Sequence, residues 1–240
     1  KNDIFFAIRG TKINGNRFIN NAIKNGAKTI VSDLKFQGYK EDILFLKSKN
    51  PRRTLAEAST FFYNKKPKNL IAVTGTNGKT SVSNFFLQIM LLNNKKAAAI
   101  GTLGVNSKNI DYNLSNTTLD PLNLNKILYN LKKKKIDTVI LEASSHGLKQ
   151  NRLHGLRFDI GIFTNLSRDH LDYHKSFKNY FDSKMILFKK LMKKKSIVIF
   201  DSNSKYGSKI KKIVKKNHSK CLIIGEKGSN LKLIKQISFK

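Results

Sequence analysis

Residues 70–92 constrain this chain more than any other stretch. Leu70 to Val73 is an apolar run of the length of a buried strand. It leads into T-G-T-N-G-K-T-S at 74–81, where Gly75 and Gly78 punctuate a turn. A helix-like pattern then runs from Lys79 to Leu92. Strand, glycine-bearing loop, Gly-Lys-Thr and helix together form a phosphate-binding loop. Glycines let backbone N–H groups curl around phosphate oxygens without a Cβ in the way. The helix aims its positive end at the same oxygens. Lys79 is placed to bring a cation to the β/γ-phosphates, and the Thr80 hydroxyl to hold Mg²⁺. The usual first glycine of the pattern is replaced by Val73, so the loop is the short form G-T-N-G-K-T.

At 240 residues and 40% hydrophobic content, the chain is long enough for one large or two modest globular domains. No apolar run approaches the roughly 20 residues of a membrane span, so no membrane insertion is expected. The opening K-N-D-I-F-F-A-I is too short in its apolar part for a secretory signal. It enters a strand almost at once and without Met, as a fragment would. The single Cys221 excludes an internal disulfide and fits a reducing cytoplasm. A net charge of +32 raises the question of an anionic partner. Of the 47 basic residues only seven are Arg, the side chain suited to bidentate phosphate and base contacts. Aromatic residues do not interleave the Lys runs as a stacking platform requires. The distribution favours a solvated lysine surface over a specific nucleic-acid site.

Taken in order, residues 4–8 read as a strand, Arg17–Asn25 as a helix stopped by Gly26, and Ala27–Val31 and Ile43–Leu46 as strands. Asn50 and Pro51 open a helix whose buried face is expected to be Leu55, Ala58, Ser59 and Phe62. The polar N-K-K-P-K-N at 64–69 reads as a linker, giving domains 1–66 and 67–240. Beyond it, strands are expected at Ala97–Ile100, Thr138–Leu141, Ile160–Thr164, Ser196–Phe200 and Cys221–Ile224. A loop fills 101–119, and helices run from Asp120 to about Lys134 and from Ser176 to about Lys194. The fold class is therefore α/β: a small α/β unit, then a phosphate-loop domain with a mostly parallel sheet covered by helices on both faces. Ligands of such sheets bind beyond the carboxyl ends of the strands, where the polar motifs of this chain fall.

Glu142, one of only four Glu, follows a strand end and is placed to hold Mg²⁺. Asp169, His170, Asp172 and His174 form a cluster suited to metal or acid–base work, or to a hydrogen-bonded loop. Ser144, Ser145 and His146 lack the G-x-S-x-G elbow, so a hydrolase reading fails. Asn116, Thr117 and Thr118 form either a cap-and-turn cluster or a polar clamp on a ligand.

Four motifs occur together: G-T-N-G-K-T at 75–80, N-T-T at 116–118, E-A-S-S-H-G-L-x-Q-x-R at 142–152 and F-T-N-L-S-R-D-H-L-D-Y-H at 163–174. In this order they resemble the Mur ligase family, in particular its branch that adds the third amino acid of the peptidoglycan stem. The resemblance covers nearly the whole chain. It implies an ATP-driven amide ligation. A carboxylate of a UDP-N-acetylmuramoyl-L-Ala-D-Glu substrate takes the γ-phosphoryl group, and the amine of a free amino acid then displaces phosphate. Carried over, Gly75, Thr76, Asn77, Gly78, Lys79, Thr80 and Ser81 cradle ATP. Thr80, Glu142 and His170 organise Mg²⁺, with Lys79 and His170 among the catalytic residues. Asn116, Thr117, Thr118, Ser144, Gln150 and Arg152 contact the muramoyl dipeptide, and Thr11, Lys12 and Ile13 its uridine end. Lys184 matches a lysine that the family carbamylates, here as a ligand toward a second Mg²⁺. Ser183 stands where the family has Ala.

The resemblance implies a cytoplasmic monomer with meso-diaminopimelate as the expected amino acid and L-lysine as the other choice. The family's Asp-Asn-Pro-Arg motif is absent from the 240 residues, so the piece is expected not to ligate alone. A folylpolyglutamate synthetase shares the phosphate-loop domain but lacks the small first domain. A basic nucleic-acid-binding protein leaves N-T-T and E-A-S-S-H-G-L unexplained.

Overall fold

The computed structural model describes residues 3–10, 13–114, 116–201, 204–216, 219–225 and 230–232. The chain divides into two compact units, Lys1–Phe62 and Tyr63–Lys240. The break precedes the N-K-K-P-K-N segment.

The first unit holds β1 (Asp3–Phe6), α1 (Ile19–Lys24), β2 (Ala27–Ser32), β3 (Gly38–Lys40), β4 (Ile43–Lys47) and α2 (Pro51–Phe62). Its sheet runs β1-β2-β4-β3, with only β3 antiparallel. Ala7, Ile19, Ala27, Ile30 and Ile43 form its core. The expected helix from Arg17 starts instead at Ile19, because a 3-10 turn over Gly15–Phe18 leads into it. Asn50 caps α2 through its side-chain oxygen, which accepts from Arg53 N at 3.1 Å. The buried face of α2 is Pro51, Ala56 and Ser59. Ala58 and Phe62 of the expected stripe are exposed, Phe62 at 75%.

The second unit carries β5 (Asn69–Thr74), α3 (Lys79–Leu92), β6 (Ala97–Gly101), β7 (Gly104–Ser107), β8 (Ile110–Tyr112), α4 (Pro121–Lys133), β9 (Thr138–Glu142), α5 (Ser145–Lys149) and β10 (Phe158–Phe163). It continues through α6 (Leu171–His174), α7 (Phe177–Ile186), β11 (Met192–Asp201), α8 (Gly207–Lys216), β12 (Lys220–Gly225) and β13 (Leu231–Lys232). The strand order is β13-β12-β11-β10-β5-β9-β6-β7-β8. All pairings are parallel except those of the β7–β8 hairpin, which forms where a plain loop was expected.

Side chains of β5 alternate across the sheet. Ile71 and Val73 pack with Leu87 of α3 on one face. Leu70 and Ala72 join Leu124 and Leu128 of α4, Met185 of α7 and Ile210 of α8 on the other. Each fully buried Leu or Ile contributes roughly 1.5–3 kcal/mol, so this sandwich fixes the height of β5. The chain winds from β5 through α3 to one side of the sheet, then returns across β5 to build β10 to β13 on the other. The loop after β5 therefore opens at a topological switch point, between the ends of β9 and β10.

The helix expected to reach Lys194 ends as an α-helix at Ile186. It closes with a π-turn over Leu187–Leu191, and the chain then enters β11 at Met192. Parallel pairing of Met192 with Phe158 draws the Lys-rich segment into the start of β11, the strand between β10 and β12.

Candidate active site

Gly78 has a left-handed φ of +81° and stands at the N-cap of α3, a conformation that costs a residue with a Cβ about 1–2 kcal/mol. At Gly75 the demand is steric: an added Cβ would lie 1.9 Å from Thr164 Oγ1. The loop needs this closeness because the chain after β10 holds it in shape. Asn77 N donates to Asn165 Oδ1 at 3.0 Å, Thr164 Oγ1 donates to Asn77 O at 2.7 Å, and Thr76 N donates to Asn165 O at 3.0 Å. Thr76 Oγ1 lies 3.1 Å from the Tyr180 hydroxyl and accepts from Ser167 N at 3.0 Å.

Two lysines converge on this loop. Lys79 Nζ donates to Gly75 O at 3.1 Å and to Thr76 O at 2.8 Å. Lys184 Nζ, arriving from α7, donates to the same Gly75 carbonyl at 2.6 Å and lies 4.4 Å from the Tyr180 ring centre. Lys184 is only 1% exposed. Burial, and then the charge of Lys79, push its pKa down to about 7, against a pull upward from Asp169. Burial also lowers the pKa of Lys79, while Glu142 and Asp169 raise it. Two cations sharing one carbonyl form a site that an anion would relieve.

The oxygen donors lie alongside. Glu142 ends β9 and is 3% exposed. Its carboxylate accepts from Thr102 N at 2.9 Å and from Thr80 Oγ1 at 3.0 Å. A hydroxyl and one carboxylate are hard oxygen donors of the kind Mg²⁺ takes when substrate phosphates complete its shell. Among the described residues no group of three or more His, Cys, Asp or Glu makes an all-protein cage. The residues present fit a phosphate-bound Mg²⁺.

The His/Asp cluster divides. His170, at a left-handed φ of 51°, pairs with Asp169 at 3.4 Å and turns its ring to His146 and Tyr180, at centroid distances of 4.9 and 6.3 Å. The structure thus sets Thr80 on Glu142, and His170 beside Asp169 and Tyr180. His174 is wholly buried, and burial with nearby His146, Lys149, Lys184 and His170 lowers its pKa to about 4.

The other predicted contacts gather at the N-terminus of α5. Ser144 caps that helix through Gly147 N at 3.0 Å. Thr118 is buried, its hydroxyl donating to Glu142 O at 2.8 Å and accepting from Ser144 N at 3.0 Å. Arg152 donates from Nη1 to Thr118 O and from Nε and Nη2 to Gln150 Oε1, while Thr117 Oγ1 meets Thr102 Oγ1 at 3.0 Å. Asn116 precedes them in the same turn. Thr11 and Lys12 lie outside the described residues; Ile13, in the first unit, is 53% exposed.

Sequence reasoning missed Thr164, Asn165 and Tyr180. The first two stand inside the F-T-N-L-S-R-D-H motif, which was the available signal. A cavity of about 530 Å³ lined by Lys95, Lys96, Lys108 and Lys134 lies at the other end of the strands, by the starts of β6 and β9, away from these groups.

Residues 73–240 match the Mur ligase middle domain. The chain belongs to the Mur ligase family. A UDP-N-acetylmuramoyl-L-alanyl-D-glutamate–2,6-diaminopimelate ligase of Rickettsia typhi is 40% identical over 232 residues, covering 95% of this chain and 47% of its own length. A solved structure of a ligase of the same name aligns over 95% of this chain and 46% of its own, with TM-score 0.80 and 28% identity. The chain thus spans about half the length of the relatives it matches. FolC of E. coli, solved with DHPP and ADP, covers 72% of this chain and 46% of its own at TM-score 0.56 and 17% identity, a likeness of fold.

Proposed function

We propose that this chain forms the ATP- and UDP-substrate-binding part of an ATP-dependent carbon–nitrogen ligase of peptidoglycan synthesis. The enzyme adds meso-diaminopimelate to UDP-N-acetylmuramoyl-L-Ala-D-Glu in the cytoplasm. The observation that carries this reading is the convergence of Lys79 and Lys184 on the Gly75 carbonyl, beside the Thr80–Glu142 pair. The names of the relatives supply the amino acid and the nucleotide sugar.

In this reading the amides of 75–81 bind the ATP phosphates. Lys79 leaves the loop carbonyls for the γ-phosphoryl group, whose charge grows as the substrate carboxylate oxygen attacks phosphorus and ADP departs. The incoming amine then attacks the acyl carbon, and phosphate leaves with the former carboxylate oxygen. Thr80 and Glu142 would hold Mg²⁺, with His170 organising it, and the ion would screen phosphate charge. Arg152, Gln150, Ser144 and the Asn116–Thr118 turn orient the muramoyl dipeptide. Thr11, Lys12 and Ile13, within a first domain of residues 1–66, hold its uridine end, and 67–240 form the ATP-binding domain. Lys184, with a pKa near neutrality, keeps a free-base fraction at pH 7. Its nitrogen adds to the carbon of CO₂ and releases a proton to solvent. The resulting carbamate converts a buried cation into an anion suited to a second Mg²⁺. The ligase acts as a monomer and needs no nucleic acid.

The test is product formation by the intact ligase polypeptide from MgATP, the UDP-muramoyl dipeptide and meso-diaminopimelate, read by mass spectrometry. We expect one ADP per amide formed, and a Lys79→Ala variant that folds but turns over no ATP. A variant with unchanged turnover contradicts the assignment.

A further inference from the structure

We propose that His174, held as its Nδ1–H tautomer between Ser145 and Ser183, is a positioning residue that locks helix α5 to helix α7. The inference rests on the ligase reading only for its kinetic consequence. It comes from a chain of hydrogen bonds whose directions follow from one end, the Asn179 carbonyl, which can only accept. Ser183 Oγ donates to Asn179 O at 2.7 Å, which uses its one hydrogen. Toward His174 Nδ1, 3.2 Å away, Ser183 is left only to accept, so Nδ1 carries the proton. A neutral imidazole has a single N–H, so Nε2 is bare and accepts from Ser145 Oγ at 3.0 Å. All three side chains are buried: His174 at 0%, Ser145 at 2% and Ser183 at 4% exposed. No water competes for these bonds, and an unpaired member would keep its desolvation cost. Asn179 Nδ2 donates back to the His174 carbonyl at 3.0 Å, closing a ring between the end of α6 and α7.

The two ends of this chain of bonds matter to the site. Ser145 opens α5 directly after Ser144, the cap at the muramoyl-dipeptide end. Ser183 immediately precedes Lys184, which reaches the phosphate loop. The ring itself is packed among His146, Tyr173 and Tyr180, at centroid distances of 5.4, 4.8 and 5.1 Å. His174 therefore transmits the position of one substrate's binding helix to the lysine that serves the other.

The test has two arms. In the first, long-range ¹H–¹⁵N correlation on the histidine-labelled chain reads the tautomer. We expect a protonated, pyrrole-type Nδ1 and a pyridine-type Nε2 in the wild type, and inversion in Ser183→Ala, where Nδ1 loses its acceptor and Nε2 turns donor to Ser145. An Nε2–H tautomer in the wild type, or no change in Ser183→Ala, overturns the network. In the second arm, KM values are measured in the intact ligase. Ser145→Ala, which removes the bond that reaches α5, is expected to raise KM for the UDP substrate about fivefold, the weight of one hydrogen bond, with KM for ATP unchanged. His174→Asn, which keeps a donor near Nδ1, is expected to retain more activity than His174→Leu. Equal KM shifts for both substrates, or equal activity of the two His174 variants, overturn the positioning role. Absence of any ligation by the wild type would instead refute the ligase reading, and the tautomer arm would still decide the network.

Discussion

Gly101 tests how tightly the site is built around Glu142. A Cβ at this position, the last residue of β6, would lie 2.1 Å from Glu142 Oε1 and 2.5 Å from both its Cδ and Cγ. These separations are far inside the ~3.5 Å of a comfortable carbon contact. Glu142 is 3% exposed, and the small cavity beside it, lined by Thr80, Ser83 and Gly104, lets its carboxylate move only away from its present donors. Gly101→Ala must drive it away from Thr102 N and Thr80 Oγ1. A hydrogen bond to a charged group is worth about 1.5–3 kcal/mol. Loss of both costs about 4 kcal/mol, against which the reduced entropy of the unfolded chain returns ~0.5–1 kcal/mol. A net destabilisation of about 3 kcal/mol is expected, from urea unfolding followed by NMR signals of the second unit. The decisive comparison is a double-mutant cycle with Glu142→Ala. With the carboxylate gone the three atoms nearest the Cβ are gone with it, so Gly101→Ala should cost less than about 0.5 kcal/mol in that background, a coupling of roughly 2.5 kcal/mol. Additive effects of the two substitutions would refute the packing of Glu142 against β6.

Lys184→Ala should be inactive in the intact ligase and partly rescued by short-chain carboxylates that replace the carbamate, read as ADP release; no rescue would leave Lys184 as a plain cation or a structural residue. Arg152→Ala should weaken binding of the UDP substrate more than binding of ATP, by calorimetric titration, and the opposite ranking moves Arg152 to the nucleotide side. His174 has a folded pKa of about 4 against 6.5 when unfolded, so the unfolded chain binds the extra proton between these values. The contribution is fully present above pH 6.5 and falls as pH drops toward 4, by roughly 3 kcal/mol in all. His174→Leu should flatten that part of the stability curve, and an unchanged slope would contradict it.

Much of the second unit was legible because apolar runs are short and sharply punctuated. Gly78 and Lys79 mark the start of α3, and its residues 79–92 coincide with the expected helix. The face of α2 was not legible, since Ala56 and Ala58 offer equally apolar stripes and only the neighbouring sheet selects Ala56. The Lys193–Lys195 run has the composition of a solvated helix, yet it lies within β11, between the Met192–Phe158 and Ile197–Ile160 pairs with β10. The site shows the same limit. Lys79, Thr80 and Glu142 stand at recognisable strand and helix ends, so their place follows from local pattern. Thr164 and Asn165 shape the phosphate loop from about 88 residues away, and Tyr180 reaches Thr76 across 104. Composition does not single out Lys184 among so many lysines. Its isolation comes from burial, which sequence does not express.

In the proposed reaction a substrate carboxylate takes the γ-phosphoryl group at the Lys79–Lys184 site. ¹⁸O in the dipeptide's reacting carboxylate follows that step directly. Attack on phosphorus, then displacement of phosphate by the amine, must carry one labelled oxygen into inorganic phosphate during amide formation by the intact ligase. The account predicts ¹⁸O-labelled phosphate in step with the amide, and none from Lys79→Ala. Unlabelled phosphate accompanying full amide yield would contradict it.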